Sequence, residues 1–163
     1  MVKDTGIRVG RELEREFPGA DHRATGAIIN LARTESLIVG RLSEHLRAYD
    51  LTVGTFNVLM ILRGAEGPLC PWEISERRLV ARGTVTGLLD SLEKRGLIRR
   101  DPHPEDRRMI NVELTIKARE LLDRLLPGFH AYEAALLRGL SQREKDTLID
   151  LLGKLQAGLP SEG

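Results

Sequence analysis

The spacing of apolar residues changes at Gly96, and this change limits the fold more than any other feature of the chain. Before it, four apolar residues recur at the i, i+3, i+4 and i+7 positions of one helix face: Val85, Leu88, Leu89 and Leu92. After it, residues 97–100 predict one strand and residues 103–107 a charged connecting loop, and apolar and polar residues alternate over 109–114, as in a returning strand of a hairpin. Glycine suits the end of a helix. The sequence therefore predicts a helix followed directly by a two-stranded antiparallel hairpin.

Helical spacing also dominates the remaining sequence. Residues 22–50 contain no proline and carry one apolar stripe. Thr52 is a good N-cap for a shorter helix, and Pro71 suits the first position of the next. Residues 115–158 predict two more helices, with an interruption of the first at Pro127. The fold class is mainly α with a small two-stranded antiparallel β-wing, and its middle is a winged helix-turn-helix.

The length of 163 residues fits one domain, since domains usually contain about 100–200 residues. Within residues 1–163 we expect an N-terminal arm at 1–20 and a winged helix-turn-helix lobe at 52–114. The leucine-rich segments 22–50 and 115–158 present more apolar stripe than such a lobe can cover. We interpret them as dimerisation helices and expect a homodimer.

The formal net charge of +1 hides an uneven distribution. Residues 77–108 contain 9 basic and 5 acidic side chains, a local excess of +4, while both flanks are slightly acidic. A basic segment on a helix and wing indicates phosphate binding, and an ordinary solvated surface is the alternative. The candidate phosphate contacts are Arg77, Arg78, Lys94 and Arg95.

The helix before the hairpin carries small or hydrogen-bonding residues opposite its apolar stripe. In a helix-turn-helix this second helix enters the major groove, where small residues allow a close approach to the base edges. The candidate base-contacting residues are Arg82, Gly83, Thr84, Thr86 and Gly87.

Several spaced motifs carry a family resemblance. They are Leu51-Thr52 before a helix, Pro71 with Glu73-Ile74, the run from Thr84 to Ile98, Asp106 with Arg108, and Val112 to Thr115. Over about residues 25–157 the chain resembles the MarR family of bacterial winged-helix regulators. The resemblance implies a homodimeric repressor that binds adjacent major grooves of a pseudo-palindromic double-stranded DNA operator. It also implies release by a small aromatic or anionic effector held between the dimerisation helices and the lobe.

The same resemblance assigns roles in the wing and shows departures from the family pattern. Arg108 is implied to reach a minor groove with Asp106 orienting it, and Arg107 completes the wing set. Ala81 stands where the family commonly has a serine cap, and Gly87 replaces a frequent polar or basic residue. These departures concern the operator sequence rather than DNA binding itself.

Other functions have weaker support. A winged-helix protein-interaction module would explain the acidic residues inside the basic segment, and a thiol redox sensor would rest on Cys70, whose pKa a helix N-terminus can lower. Only His130 and Glu133 have a metal-compatible helical spacing, and a surface pair is the alternative, so we expect neither metal nor cofactor. Trp72 is interpreted as a packing residue of the helix-turn-helix.

The sequence also bounds activity and location. It contains no Gly-rich phosphate loop and no nucleophile elbow, so we do not expect an enzyme. No apolar run approaches the roughly 18–20 residues that span a bilayer, and a charged N-terminal segment is unlike a signal peptide, so we expect a cytoplasmic protein.

Overall fold

The computed structural model describes residues 6–77, 84–102 and 109–159. The elements occur in the order predicted, with one short helix in the arm. They are α1 (Glu12–Glu16), α2 (His22–Leu46), a 3₁₀ turn (Arg47–Tyr49), α3 (Val53–Arg63), α4 (Pro71–Glu76), α5 (Val85–Lys94), β1 (Ile98–Pro102), β2 (Ile110–Leu114), α6 (Ile116–Leu136) and α7 (Gln142–Gly158). None of the helices formed by these residues is long and apolar enough to cross a membrane.

Local chemistry sets both ends of α2. The Asp21 carboxylate accepts hydrogen bonds from the backbone N–H groups of Arg23 and Ala24, at 2.8 and 3.1 Å. These bonds stabilise the charged form and hold the pKa of Asp21 below its ordinary value. At the other end the 3₁₀ turn leads into Asp50, whose φ of 54° lies in the left-handed region and ends the helical path.

The core is built around α3. Its first turn is closed by a capping box between Thr52 and Thr55, and six of its eleven residues are buried. A helix that is apolar on most sides must be covered on most sides, and α2, α4, α5 and β2 all pack against it. The largest fully buried side chains around it are Leu46, Leu59, Ile74, Leu89, Leu92, Leu97, Leu122 and Leu125.

The hairpin forms as predicted, and a backbone pair joins it to the segment before α4. Strands β1 and β2 pair antiparallel, with Ile98 opposite Leu114 and Arg100 opposite Val112. Val112 also exchanges backbone hydrogen bonds of 2.8 and 3.0 Å with Leu69, in the segment before α4. The wing is therefore joined at its base to the helix-turn-helix.

The predicted interruption at Pro127 is wrong, because α6 continues through it to Leu136. Proline removes one backbone hydrogen bond and costs a helix about 3 kcal/mol. Buried side chains on both sides of Pro127 offset this cost, since Leu122 and Leu125 precede it and Phe129 follows it in the core. Tertiary packing therefore decides the continuity of this helix.

Two helices keep apolar faces that the chain itself does not cover. No residue of α7 is buried, and most of α2 is exposed. The exposed large apolar side chains on these helices include Ile28, Ile29, Leu31, Leu37, Val39, Leu148, Ile149, Leu151 and Leu155. Such continuous exposed apolar surface is typical of a protein interface.

The described part of the arm lies along α2. The Asn30 side chain accepts from the Ile7 N–H at 2.9 Å and donates to the Ile7 carbonyl at 2.7 Å. Gly26 is buried beneath Val9, whose Cγ2 lies 3.8 Å from the position of a Cβ on that glycine. The arm thus makes specific contacts, which its polar composition did not predict.

Candidate nucleic-acid interface

Helix α5 has the two faces that its sequence predicts. Val85, Leu89 and Leu92 are buried, and Leu88 packs over Gly54, where an added Cβ would lie 3.1 Å from Leu88 Cδ2. Thr86 and Gly87 are exposed on the other side. The apolar face therefore fixes the helix on α3 and leaves its small residues facing outward.

The outward face is open at Gly87. A Cβ built on this glycine meets no heavy atom of residues 6–77, 84–102 and 109–159 within 4 Å, so packing among these residues does not require glycine there. Glycine also lowers helix stability relative to alanine. Because glycine has no side chain, it leaves a smooth helix surface here, which another molecule can approach closely.

The wing base is fixed to α5 by one arginine. Arg100 on β1 forms ion pairs with Asp90 at 2.7 Å and with Glu93 at 3.4 Å, and its side chain is only 22% exposed. Two of the acidic residues that favoured a protein-interaction module are therefore paired within the molecule. The neighbouring Arg99 pairs with Asp101 at 3.1 Å and with Glu113.

The predicted DNA contacts fall into three groups. Thr84, Thr86 and Gly87 lie at the start of α5, and Arg77 is exposed at the end of α4. The remaining base-contact candidates Arg82 and Gly83, the backbone candidate Arg78, and the wing set Asp106, Arg107 and Arg108 lie outside the described residues.

The third group, Lys94 and Arg95, lies at the opposite end of α5. A ten-residue helix is about 15 Å long, so these cations are well separated from Thr86. Arg95 is half-buried and donates to the carbonyl oxygens of Tyr49, at 3.1 Å, and Asp50. These contacts tie the end of α5 to the turn after α2, a structural role that the sequence did not predict.

Trp72 is placed differently from its prediction as a packing residue. Ile74 is fully buried and supplies the inner face of α4, whereas Trp72 is 55% exposed. The indole borders a groove of about 420 Å³ between α4 and the start of α5, with Thr86 on its far side. The sequence signal for this exposure was the position of the single tryptophan in the first turn of a helix, where a side chain is not required to be buried.

Cys70 has an environment that disfavours the thiolate. The side chain is 4% exposed, and its Sγ lies 3.8 Å from Asn111 Oδ1. Burial raises the pKa of the Cys70 thiol, and the negative charge of Glu73 raises it further. This direction is opposite to the lowered pKa expected for a helix N-terminus, and it argues against the redox-sensor alternative.

Two histidine–carboxylate pairs lie at the surface. His130 Nδ1 is 3.0 Å from Glu133 Oε2 on α6, which fits the alternative of a surface pair. His22 pairs with Glu14 at 2.5 Å, and Asp21 brings a third ligand-type oxygen within 4.8 Å of both. No spacing in the sequence predicts this trio, because it depends on the arm folding back onto α2.

Aromatic rings pack where the end of α2 meets α3 and the second half of α6. His45 stacks on Tyr132 with ring centroids 4.6 Å apart, and Phe56 lies 4.4 Å from Phe129. A cleft lies beside Tyr49, bordered by the turn after α2, the end of α5 and the first half of α6.

Comparisons with known proteins agree on one class. A family model described as the MarR family matches residues 51–110. The transcriptional repressor YetL of Bacillus subtilis is 39% identical over 115 residues, covering 70% of this chain and 69% of its own.

Two solved structures have the same fold. The MepR–DNA complex of S. aureus superposes with a TM-score of 0.72 at 26% identity, covering 79% of this chain and 96% of MepR. BpsR of Bordetella bronchiseptica, whose DNA binding is regulated by 6-hydroxynicotinic acid, gives a TM-score of 0.70 at 26% identity, covering 77% and 95%.

Proposed function

The chain belongs to the MarR family of transcriptional regulators, and from this premise we propose that it is a repressor that binds a pseudo-palindromic operator as a homodimer. The outward face of α5 carries the proposal. Thr86 and Gly87 are exposed on a helix whose opposite face is buried, and no atom of the residues that the structure describes occupies the space next to Gly87. This arrangement suits a helix that enters a major groove.

We assign three kinds of DNA contact. Bases are read by Thr84, Thr86 and Gly87 at the start of α5, together with Arg82 and Gly83, which precede it in the chain. The wing enters the adjacent minor groove through Arg108, positioned by Asp106 and supported by Arg107. Arg77 and Arg78 contact phosphates next to α5, which we call the recognition helix. MepR, which has the same fold, forms a DNA complex, and this supports DNA as the partner.

The uncovered faces of α2 and α7 support the homodimer. A second copy of the chain offers the same surface. It buries the exposed leucines and isoleucines of these two helices, which come from opposite ends of the chain. Two recognition helices in one dimer then meet two half-sites about 34–36 Å apart. Analytical ultracentrifugation tests this step, because a monomer at micromolar concentration would contradict it.

We also propose that a small organic ligand releases the DNA. The regulation of BpsR by 6-hydroxynicotinic acid supports this step, since that ligand is an aromatic acid and BpsR has the same fold. The effector of this chain would shift the dimer between two arrangements to which DNA binds with different affinity.

Titration of promoter DNA tests the proposed function. Fluorescence anisotropy with a labelled fragment from next to the protein's own gene should show saturable binding that weakens steeply with salt. Arg108→Ala should lower the affinity for all operator variants and reduce the slope of log affinity against log salt by about one. Arg138→Ala, an exposed arginine after α6, is the matched control and should leave the slope unchanged.

Two results would contradict this function. No binding at low salt and micromolar protein would favour a protein-interaction module instead. Binding with an unchanged salt slope in Arg108→Ala would remove the wing from the mechanism. The lone Trp72 next to Thr86 gives an independent signal, because bound DNA should alter its fluorescence.

A further inference from the structure

A groove between the two helices of the helix-turn-helix contains the single tryptophan of the chain. Its volume is about 420 Å³. Six residues line it: Pro71, Trp72, Ser75, Glu76, Val85 and Thr86. Trp72, Ser75 and Glu76 are three and four positions apart, so they share one face of α4, and the first turn of α5 forms the other wall. The groove therefore opens beside the outward face of α5, with Thr86 belonging to both.

The walls of this groove are mostly apolar. The indole of Trp72 is 55% exposed, although tryptophan is a highly buried residue on average. Pro71 and the buried Val85 add apolar surface. The Ser75 hydroxyl donates to the Trp72 carbonyl at 2.7 Å, so its proton is already bonded within α4. Such a surface gains most free energy from an apolar group of the partner, because apolar contact removes it from water.

The charge of the groove argues against a phosphate as its occupant. Among the lining residues that the structure describes, Glu76 carries the one charged side chain, and it is exposed. A carboxylate repels a phosphate, whereas Arg and Lys neutralise it. A neutral and apolar part of the DNA therefore suits this groove better than the backbone anion does.

The base edges of DNA display one apolar group in the major groove, which is the C5-methyl group of thymine. Thr86 lies on the face that we assign to base edges and also lines the groove, so a base contacted there lies next to the indole. In a helix-turn-helix complex the first helix crosses the DNA backbone beside the recognition helix, so α4 faces the DNA as well. The groove is larger than one methyl group and leaves room for the edge of the thymine ring.

We propose that this groove binds the C5-methyl group of one thymine in each operator half-site, and that Trp72 is the residue that selects it. This role rests on the proposed function, because the thymine belongs to the same DNA interface. A cytosine or a purine at this step leaves the indole without its apolar contact. Trp72 therefore contributes to base selection, whereas the cations of the interface act on all sequences alike.

Uracil-containing DNA tests this role, because uracil differs from thymine only in lacking the C5-methyl group. A promoter fragment made with deoxyuridine in place of every thymidine is compared with the normal fragment by fluorescence anisotropy. Burial of one methyl group corresponds to about fourfold in affinity, and a dimer makes two such contacts, so the wild type should bind the uracil fragment about fifteenfold more weakly. In Trp72→Ala this ratio should be at least about fivefold smaller, and single replacements then locate the thymine.

Three further variants separate base selection from general effects on binding. Trp72→Phe keeps an apolar ring and should retain most of the preference for thymine. Phe17→Ala is the matched control, because Phe17 is 56% exposed on the arm and does not line the groove, and it should keep the wild-type ratio. Glu76→Gln removes a charge that repels DNA, so it should strengthen binding to both fragments and leave their ratio unchanged. Thermal melting checks that each variant is folded.

Two results would overturn the role of Trp72 while the proposed function stands. One is equal affinity of the wild type for the thymine and uracil fragments. The other is a preference for thymine that Trp72→Ala leaves at its wild-type size, because the methyl group would then be bound elsewhere on the interface. Failure of the wild type to bind the normal fragment would contradict the proposed function, and the role of Trp72 with it.

Discussion

Replacing Gly87 separates the stability of α5 from its use as a DNA contact. Glycine in a helix is about 0.5–1 kcal/mol less favourable than alanine, because its unfolded chain has more freedom to lose. A methyl group at this position meets no atom within 4 Å in the part of the chain that the structure describes, so no clash there offsets the gain. Gly87→Ala should therefore raise the free energy of unfolding by about 0.5–1 kcal/mol, and Tm by about 1–4 °C.

The same methyl group should weaken DNA binding. It projects from the face that we assign to the groove floor, where a closely packed contact tolerates an added carbon poorly, at a cost of about 1–3 kcal/mol. A loss of 1.4 kcal/mol corresponds to about tenfold in affinity. Gly87→Ala should thus be more stable and bind the operator about tenfold more weakly, measured by thermal melting and fluorescence anisotropy.

Gly128→Ala is the matched control. Gly128 lies within α6, and its Cβ also meets no heavy atom within 4 Å. It should raise stability without changing DNA affinity. The reasoning would be refuted if Gly87→Ala were stabilised but bound DNA like the wild type, because the groove would then not approach this residue.

Three further predictions concern residues away from the interface. Asp21→Ala should make the free energy of unfolding depend less on pH at acid pH. The folded pKa of Asp21 lies below the unfolded value near 3.8, so the stability that its carboxylate contributes is present above that pH and is lost as pH falls through the folded pKa. Urea melts between about pH 2 and 5 measure this difference. Hydrogen peroxide should leave DNA binding unchanged in the wild type and in Cys70→Ser, because the buried thiol has a raised pKa; loss of binding in the wild type alone would restore the redox hypothesis. Pro127→Ala should raise the free energy of unfolding by about 1–2 kcal/mol in chemical denaturation, since it restores a hydrogen bond within a helix that is already continuous, and a destabilised variant would show that the proline shapes α6.

Features set by neighbouring residues could be predicted from the sequence. The stripe of Val85, Leu89 and Leu92 predicted the inner face of α5, because apolar residues at helical spacing lie on one side of a helix and that side packs on the core. Thr115 accepts a hydrogen bond from the Ala118 N–H at 3.2 Å, as an N-cap at that position should. The alternation of apolar and polar residues over 109–114 predicted β2 in the same way.

Features set by distant residues could not be predicted from the sequence. The continuity of α6 through Pro127 depends on a core that the local pattern does not describe. The exposure of Trp72 follows from the direction in which α4 packs, and Ile74 alone occupies the inner side. The cleft lined by Tyr49, Lys94 and Arg124 unites three segments whose lining residues are 20 to 75 positions apart in the chain, and no spacing rule connects them.

The ion pairs of Arg100 have a consequence for the operator itself. Because this side chain joins β1 to Asp90 and Glu93, the recognition helix and the wing base cannot shift independently. One inserted base pair between their two contacts would displace the second contact by about 3.4 Å and rotate it by about 34–36° around the DNA axis. Each half-site should therefore tolerate changes of base identity better than changes of length.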